Sequence, residues 1–389
     1  MQIQEVNNPK LAREFIKMAI PLYKNYPNWI RPLDKDIEAI FNPKQNKHFR
    51  HGECTRWILK DDKGKTIGRV AAFINRKIAS KGNDQPTGGM GFFECINDKD
   101  AAFRLFDQCK EWLEARGMEA MDGPINFGER NEWWGLQVQG FEIEPNYRCN
   151  YQPPYYQALF EAYGFKTYFE QLTFGRKIVG HISERMFEKA ERIAENPKYT
   201  FKTLDIKQID KYIEYFHTIY NKAWSGHKGV PVLSIQQARL LIKQMKPILD
   251  PNIMYFGFYE DEPIAFFINI PDVNQIFKHV NGKLNLIGKL KFLYHKWRKT
   301  TNKIIGTVFG VVPEHRSKGV EGAIVIYGRE VLFEKYNRYE NLEMNWIGDF
   351  NPRMVHTAEQ VGVELYKKHI TYRKLFDESK PFKRHAILK

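Results

Sequence analysis

Apolar and polar residues follow each other along the chain in a pattern that predicts strands and helices in a defined order. After a helix near the N-terminus, two apolar runs flank an Asp/Gly turn within residues 57–74, which predicts a hairpin. A strand over 91–96 and a helix over 99–115 come next. A short strand, a helix over 155–163 and a strand over 166–174 complete the first half of the chain.

The second half repeats this order. Helices over 206–224 and 235–246 precede a second hairpin within 254–270, and a strand covers 304–312. The remaining predicted elements are a helix over 323–336, a strand over 341–347, a helix over 351–360 and a last strand over 366–376. The repeat of roughly 190 residues is far too long for a solenoid. The sequence therefore predicts two copies of one α/β fold built on a mixed sheet.

Composition agrees with two globular domains. The chain has 389 residues, of which 43% are hydrophobic and 27% are charged, and its net charge is +14. Its four cysteines show no CxxC spacing, which argues against a structural metal and favours a reducing compartment. Neither a signal-peptide pattern nor an apolar window of about 20 residues is present. We expect a cytoplasmic protein.

One turn between a predicted strand and a predicted helix has the features of an anion-binding site. The β-branched run 308–312 ends at a proline, and Arg316, Lys318 and Gly319 follow before the apolar-periodic segment that begins at Ala323. A glycine turn at the start of a helix lets backbone N–H groups point at a phosphate. The P-loop and the dinucleotide-binding glycine pattern are both absent. A tight turn that holds no ligand is the alternative.

This turn resembles the acyl-CoA pyrophosphate loop of the GNAT acetyltransferase superfamily, whose pattern is Arg/Gln-x-x-Gly-x-Gly/Ala. Arg316 and Gly319 match the pattern, Glu321 stands in the place of the second small residue, and Gly322 follows one position later. The resemblance implies acetyl-CoA or another acyl-CoA as co-substrate, and from the cysteine spacing we expect no metal. It implies the following cofactor-binding residues: Val311, Val312, Arg316, Ser317, Lys318, Gly319, Val320, Gly322 and Asn351.

The order of elements resembles a GNAT domain in both halves, which implies two tandem GNAT-like acyl-CoA N-acyltransferase folds. The first domain is then residues 1–176, a helical connector is 177–198, and the second domain is 199–389. In the first half the corresponding turn is residues 97–100, two of which are aspartates. Because these carboxylates disfavour a pyrophosphate, we expect acyl-CoA in the second domain only. The first domain would shape the acceptor cleft.

The GNAT resemblance also implies a direct reaction of an amine with a thioester, in which a base removes the amine proton and an acid protonates the thiolate. The strand before the turn has no carboxylate, and Ala358 stands where the superfamily often has a tyrosine. The remaining catalytic candidates are Asp349, Glu343 and His356. A solvated turn is the alternative for Asp349, and a surface or core position is the alternative for His356. Asn351 is also expected to cap the closing helix.

A loop of the first half is rich in polar and aromatic residues. Residues 126–134 contain two tryptophans besides Asn, Glu and Arg, and residues 147–156 add four tyrosines and an arginine. These side chains can line a substrate cleft, or their rings can pack a long loop. The sequence leaves both interpretations open.

The second half carries a basic insertion, residues 275–303. No Asp or Glu lies between Val273 and Pro313. The cations of this stretch are Lys278, Lys283, Lys289, Lys291, Lys296, Arg298, Lys299 and Lys303. An apolar stripe with helical spacing is formed by Leu286, Leu290, Leu293 and Trp297. Such a helix can bind an anionic surface through 283–303, either acidic lipid or RNA, or it can dock its stripe on its own domain.

The sequence thus favours an acyltransferase, an N-acetyltransferase that uses acetyl-CoA on an unidentified small-molecule or peptide amine. Two alternatives remain open. One is an aminoacyl transferase of the FemABX type that takes its donor from aminoacyl-tRNA. The other is a non-catalytic binding protein with two GNAT folds.

Overall fold

The computed structural model describes residues 1–178, 184–224, 232–335, 338–360 and 362–388. Residues 179–183 of the predicted connector, Tyr336 at the end of the predicted helix 323–336, and Val361 lie outside the described residues. The predicted order of helices and strands is found in both halves.

The first half contains seven strands and five helices. Its strands are β1 (Gln2–Glu5), β2 (Gly52–Lys60), β3 (Thr66–Asn75), β4 (Thr87–Cys95), β5 (Ala120–Gly123), β6 (Leu136–Gln139) and β7 (Lys166–Lys177). Its helices are α1 (Pro9–Lys17), α2 (Ala19–Leu22), α3 (Asp34–Ile40), α4 (Lys99–Glu114) and α5 (Tyr156–Ala162).

The second half begins with α6 (Glu184–Ala194) in the predicted connector. The other helices are α7 (Ile209–Trp224), α8 (Ile235–Met245), α9 (Asn274–Phe277), α10 (Leu286–Trp297), α11 (Val320–Lys335) and α12 (Pro352–Gln360). The strands are β8 (Tyr199–Thr203), β9 (Met254–Tyr259), β10 (Glu262–Pro271), β11 (Lys303–Val311), β12 (Asn341–Met344), β13 (Ile347–Gly348) and β14 (Glu364–Leu375).

All of these strands belong to one mixed sheet that runs through both halves. Its order is β1-β2-β3-β4-β5-β14-β7-β12-β11-β10-β9-β8, while β6 pairs with β14 and β13 with β7. The last strand of the chain therefore lies between β5 and β7, beside strands of the first half. Conversely, β7 pairs with β12 and β13 of the second half. The domain limits near 176 and 199 stay a prediction, because the sheet continues across them.

Each half has a large apolar core on this sheet. In the first half α4 and α5 pack on β2 to β5, with Phe106 and Phe160 buried between them. In the second half α7 packs on Phe256 and Phe266 of β9 and β10, and α11 packs on Tyr255 of β9. The burial of these faces supplies the main stabilisation of both halves, since each large apolar side chain contributes about 1.5–3 kcal/mol.

Two parallel pairs, β4 with β5 and β11 with β12, differ from the antiparallel rest of the sheet. In each pair the strands are joined only at their first residues. The β11–β12 pair covers Lys303–Gly306 and Asn341–Met344. Beyond Gly306 strand β11 continues beside β10 alone, so the sheet opens between β11 and the segment that follows β12. This opening positions the candidate site.

Candidate active-site cleft

A large cleft lies where β11 and β12 separate. Its volume is about 670 Å³, and both halves of the chain form its walls. Ile305, Thr307 and Asn345 contribute the wall at the opening of the sheet. The apolar wall consists of Pro247, Ile248, Ile270, Val273, Phe277, Leu284, Phe292 and Leu293. The first half contributes Lys35, Asn131, Glu132, Asn146, Tyr147, Arg148 and Cys149.

The backbone of β11 offers hydrogen-bonding groups at the same opening. The Val312 N–H donates to the Ile264 carbonyl at 2.9 Å, so Val312 faces β10. Because N–H and C=O groups alternate sides along an antiparallel strand, the N–H of Val311 points away from β10, toward the opening. Strand β12 ends at Met344. The next residue, Asn345, donates its N–H to the Gly306 carbonyl at 3.1 Å, five residues before Val311. Val311 therefore presents its N–H where a carbonyl oxygen can accept it.

The predicted anion-binding turn follows β11 directly. Ser317 and Gly319 have positive φ angles, 59° and 105°, and a Cβ at Gly319 would lie 2.8 Å from the Lys189 carbonyl oxygen of α6. Glycine is required there both for its conformation and for this close approach. Helix α11 begins at Val320, three residues before the predicted start. Gly322 is therefore in the first helical turn, where N–H groups have no partner within the helix.

Two side chains of this turn are already engaged by the protein. The Arg316 guanidinium donates to the carbonyls of Val311, at 3.1 Å, and Ala223. Arg316 thus ties the turn to β11 and to the end of α7. The Glu321 carboxylate accepts from the Ser317 N–H at 3.2 Å. A pyrophosphate at this turn would have to displace Glu321, while the N–H groups of the first turn of α11 fit its oxygens.

The corresponding opening in the first half is closed. The Ile125 N–H donates to the Met90 carbonyl at 2.7 Å, and a Cβ at Gly91 would lie 1.8 Å from the Ile125 oxygen. The start of α4 is capped by Asp98, which accepts from the Ala101 N–H at 2.8 Å. The close approach of Gly91 to Ile125 leaves less room for an acyl-CoA than the opening in the second half does. The Asp98 carboxylate at the start of α4 also disfavours its phosphates.

A buried network of charges forms the floor of the cleft. Lys303 lies 3.0 Å from both Asp272 and Glu343, and Lys367 lies 2.7 Å from Glu343. The Asn146 amide oxygen accepts from Lys303 at 2.9 Å. All five residues are buried. Asp272 and Asn146 reach the cleft wall, whereas Glu343 lies behind them.

The charged groups of this network shift the pKa values of one another. Burial alone raises the pKa of Glu343, but the charges of Lys367 and Lys303 outweigh it and the pKa is lowered. Burial opposes the charge of Lys303, yet Asp272 and Glu343 raise its pKa. For Lys367 burial prevails, and its pKa is lowered. Glu343 is thus held as a carboxylate, which suits an anchor for two lysines better than a group that exchanges protons.

Cys149 lies on the cleft wall as a free thiol. Burial raises its pKa to about 11. The thiol is therefore protonated at neutral pH and is a weak nucleophile. Its raised pKa argues against Cys149 as a covalent nucleophile at this wall.

The structure does not bring the predicted catalytic residues together at the cleft. Asp349 accepts from the Glu170 N–H at 3.1 Å and pairs with Arg384 near the C-terminus. His356 is an exposed side chain of α12, 4.0 Å from Glu359. Neither lines the cleft.

The predicted helix cap is present, since the Asn351 side chain accepts from the Met354 N–H at 3.3 Å. Its predicted contact with a cofactor stays a prediction.

The polar loop of the first half does reach the cleft. Arg148 joins two carboxylates, Glu132 at 2.6 Å and Asp36 at 3.1 Å, and Tyr147 donates to Asp36 at 2.6 Å. By contrast, Trp133 of the same loop is buried in the core. Some residues of this loop thus line the cleft and others pack the core, while their contact with a substrate stays a prediction.

The basic insertion contributes the outer wall of the cleft through α10. The helix was predicted with the right stripe, but the stripe is exposed: Leu286, Leu290, Leu293 and Trp297 all face solvent. The alternative that the stripe docks on its own domain is therefore wrong. Lys303, which the sequence placed among the basic surface residues, is instead buried with Asp272 and Glu343 because two carboxylates surround it. Among the helices of the described ranges, none is both long and apolar enough to cross a bilayer.

Comparison with known sequences identifies two relatives along nearly the whole chain. The chain is 26% identical over 379 residues to a protein of Caulobacter vibrioides (strain NA1000 / CB15N) named bacterial ceramide synthase, covering 96% of this chain and 97% of that protein. It is 24% identical over 371 residues to Protein YghO of Escherichia coli (strain K12), covering 94% and 93%. No family model matches the chain.

Solved structures show the fold. A tandem GNAT protein from the clavulanic acid biosynthesis pathway aligns with a TM-score of 0.54 at 10% identity, over 97% of this chain and 99% of that chain. A GCN5-related glucosamine N-acetyltransferase region of a fungal β-N-acetylglucosaminidase aligns with a TM-score of 0.53 at 12% identity. That match covers 96% of this chain and 38% of the longer fungal chain. The predicted tandem GNAT fold is confirmed.

Proposed function

We propose that this protein is an N-acyltransferase that transfers a long acyl chain from an acyl-CoA to the amine of a lipid acceptor. The observation that carries the proposal is the position of the apolar cleft, which opens beside Ile305 and Thr307 where β11 separates from β12, on the strand that leads to the anion-binding turn. A donor with its phosphates at Ser317 to Gly322 can place its thioester beside Val311. Its acyl chain, or the chain of the acceptor, then has an apolar wall to lie against.

The chemistry is a direct acyl transfer. The amine nitrogen attacks the thioester carbon, a C–N bond forms and the C–S bond breaks. The amine loses one proton and the CoA thiolate gains one, so the products are an amide and the free thiol. We assign the stabilisation of the developing oxyanion to the Val311 N–H. We assign the amine proton to Asp272, a carboxylate that reaches the cleft and is positioned by Lys303 at 3.0 Å.

The lipid character of the substrates is supported by the walls of the cleft and by one relative. Phe277, Phe292, Leu293 and Ile248 offer apolar contact, and each methylene that leaves water there contributes about 0.8 kcal/mol. A ceramide is an N-acylated long-chain amino alcohol. The relative named bacterial ceramide synthase matches 96% of this chain, and this supports an amide-forming reaction between two long chains as the proposal.

The proposal is tested by supplying the purified protein with acyl-CoAs of increasing chain length and with a panel of amines that includes long-chain amino alcohols, short amines and peptides. Amide products are detected by mass spectrometry, and released CoA by a thiol reagent. Thr307→Trp, which fills the cleft at the sheet opening, should abolish amide formation. Ile206→Trp, at an exposed position that does not line the cleft, is the matched control.

We expect activity to rise with acyl-chain length and to require a long-chain amine. If only acetyl-CoA and short hydrophilic amines are turned over, the proposed acyl transfer would stand and the proposed lipid specificity would be overturned. No turnover and no binding of any acyl-CoA would contradict the proposed function.

A further inference from the structure

Helix α10 presents to solvent a face that is unusual for a globular domain. Only three of its residues turn inward, Gly288, Phe292 and His295, at spacings of four and three. Phe292 stacks on Phe277 with ring centres 5.6 Å apart, and His295 stacks on His279 at 3.9 Å. These contacts fix one side of the helix on the domain. Every other residue of the helix is exposed.

The exposed side carries the largest apolar residues of the insertion. Trp297 is 77% exposed, Leu286 74%, and Leu290 and Leu293 59% each. At about 100° per residue these four lie in one stripe along the helix. Ile287 and Tyr294, also exposed, widen it. A continuous apolar stripe of this kind in water marks an interaction surface.

Cations flank this stripe on both sides. From the same helical geometry Lys289 and Lys296 border one edge, and Lys291 and Arg298 the other. The chain has no acidic residue from Val273 to Pro313. An apolar centre between two basic borders suits a helix that lies flat in the headgroup region of an anionic bilayer. Each cation near such a surface contributes about 1 kcal/mol.

We propose that α10 docks the protein on an anionic membrane surface, with the apolar stripe inserted among the acyl chains and the flanking cations on the lipid headgroups. Helix α10 is also a wall of the cleft, through Lys289, Phe292 and Leu293. Docking therefore sets the cleft at the membrane surface, where long-chain substrates reside. RNA fits the stripe less well, because its phosphates would meet the cations while six apolar side chains stayed in water. The proposal goes beyond the proposed reaction, because the helix can bind lipid whether or not the cleft catalyses acyl transfer.

Co-sedimentation of the full chain with vesicles tests the proposal, in the absence of any acyl donor. Vesicles of phosphatidylcholine alone are compared with an equal mixture of phosphatidylcholine and phosphatidylserine. The double variant Leu290→Asp/Trp297→Asp places two carboxylates in the stripe, at exposed positions that do not line the cleft. Phe333→Asp makes the same kind of change at an exposed aromatic of α11 and serves as the control.

We expect the wild-type protein and Phe333→Asp to bind the anionic vesicles, and the double variant to bind at least tenfold more weakly. Lipids brominated on their acyl chains should quench the wild-type fluorescence more than that of Trp297→Phe. No binding to anionic vesicles, or equal binding by the double variant, would overturn the proposal. Binding of a homopolymeric RNA in place of vesicles would overturn it in favour of a nucleic-acid surface. Activity on detergent-dispersed substrates, measured separately, distinguishes these outcomes from a failure of the proposed reaction.

Discussion

Replacing Glu343 by glutamine tests the role of the buried charge network. The carboxylate lies 3.0 Å from Lys303 and 2.7 Å from Lys367, and its side chain is almost wholly buried. Glutamine has the same shape but no charge, so Glu343→Gln leaves two buried ammonium groups with only Asp272 as counter-ion. Removing one partner of a buried pair costs about 3–5 kcal/mol.

The magnitude translates into a measurable shift of the melting temperature. For 389 residues, an unfolding entropy of about 2.1 cal/mol/K per residue gives a decrease of about 4–6 °C if the shared sheet unfolds as one unit. Thermal unfolding followed by circular dichroism measures it. The matched control is Asp349→Asn, since its partner Arg384 is 52% exposed and such pairs contribute about 0–1 kcal/mol.

A second variant isolates charge from packing. Glu343→Gln/Lys367→Met removes one charge of each sign and leaves the Asp272–Lys303 pair intact. We expect it to be more stable than the sum of the two single variants by at least about 1 kcal/mol, the coupling typical of groups in one network. A melting temperature of Glu343→Gln within 1 °C of wild type, or strict additivity in the double variant, would refute the reasoning.

Four further outcomes are expected. Asp272→Asn should lower kcat about 100-fold or more, while Glu132→Gln, the other carboxylate on the cleft wall, should change it little; equal losses would remove Asp272 as the base. Cys149→Ser should keep turnover within about threefold, because a thiol with a pKa of about 11 is not the nucleophile, and an acylated Cys149 in mass spectra would contradict this. Glu321→Gln should tighten CoA binding about fivefold in calorimetry, because it removes a negative charge that repels the phosphates at the helix start by about 1 kcal/mol. An unchanged affinity would place the phosphates elsewhere. Burial lowers the pKa of His369 from 6.5 to about 4. The unfolded chain therefore binds a proton on this side chain more tightly than the folded protein does. The free energy of unfolding should be at its full value above pH 6.5 and should fall by about 2 kcal/mol at about pH 5. Denaturant titrations of His369→Asn should show a flatter pH dependence, and an unchanged dependence would assign the effect to other groups.

Much of the fold could be predicted because local hydrophobic periodicity determines it. The hairpin within 57–74 and the last strand over 366–376 are found where the sequence predicts them, although β2 begins five residues early, at Gly52, and the other ends differ by at most two residues. The position of β14 between β5 and β7 was missed. Strand pairing depends on residues far apart in sequence, and an apolar pattern does not reveal which neighbour a strand will choose.

The candidate site, like the fold, could be predicted only where its residues are close together in the sequence. The turn at Arg316 and Gly319 was found because its residues are consecutive, whereas its self-capping by Glu321 depends on a side-chain direction. The network of Asp272 and Lys303 was missed, since nothing local distinguishes a buried lysine from its exposed neighbours. The only signal was that Asp272 is the last acid before the basic stretch. For α10 the sequence predicted the stripe, but only the tertiary structure shows which side faces the domain.

The central claim, that acyl transfer takes place in the cleft at the opening of β11 and β12, is tested most directly by photo-crosslinking. A long-chain acyl-CoA with a diazirine on its chain is bound, irradiated, and mapped by peptide mass spectrometry. We expect crosslinks at residues 270–277, at 284–293 and at Thr307, and their loss in Thr307→Trp. Crosslinks confined to the first half around Phe92 and Trp133, or spread over the surface with no preference for the cleft, would contradict the claim.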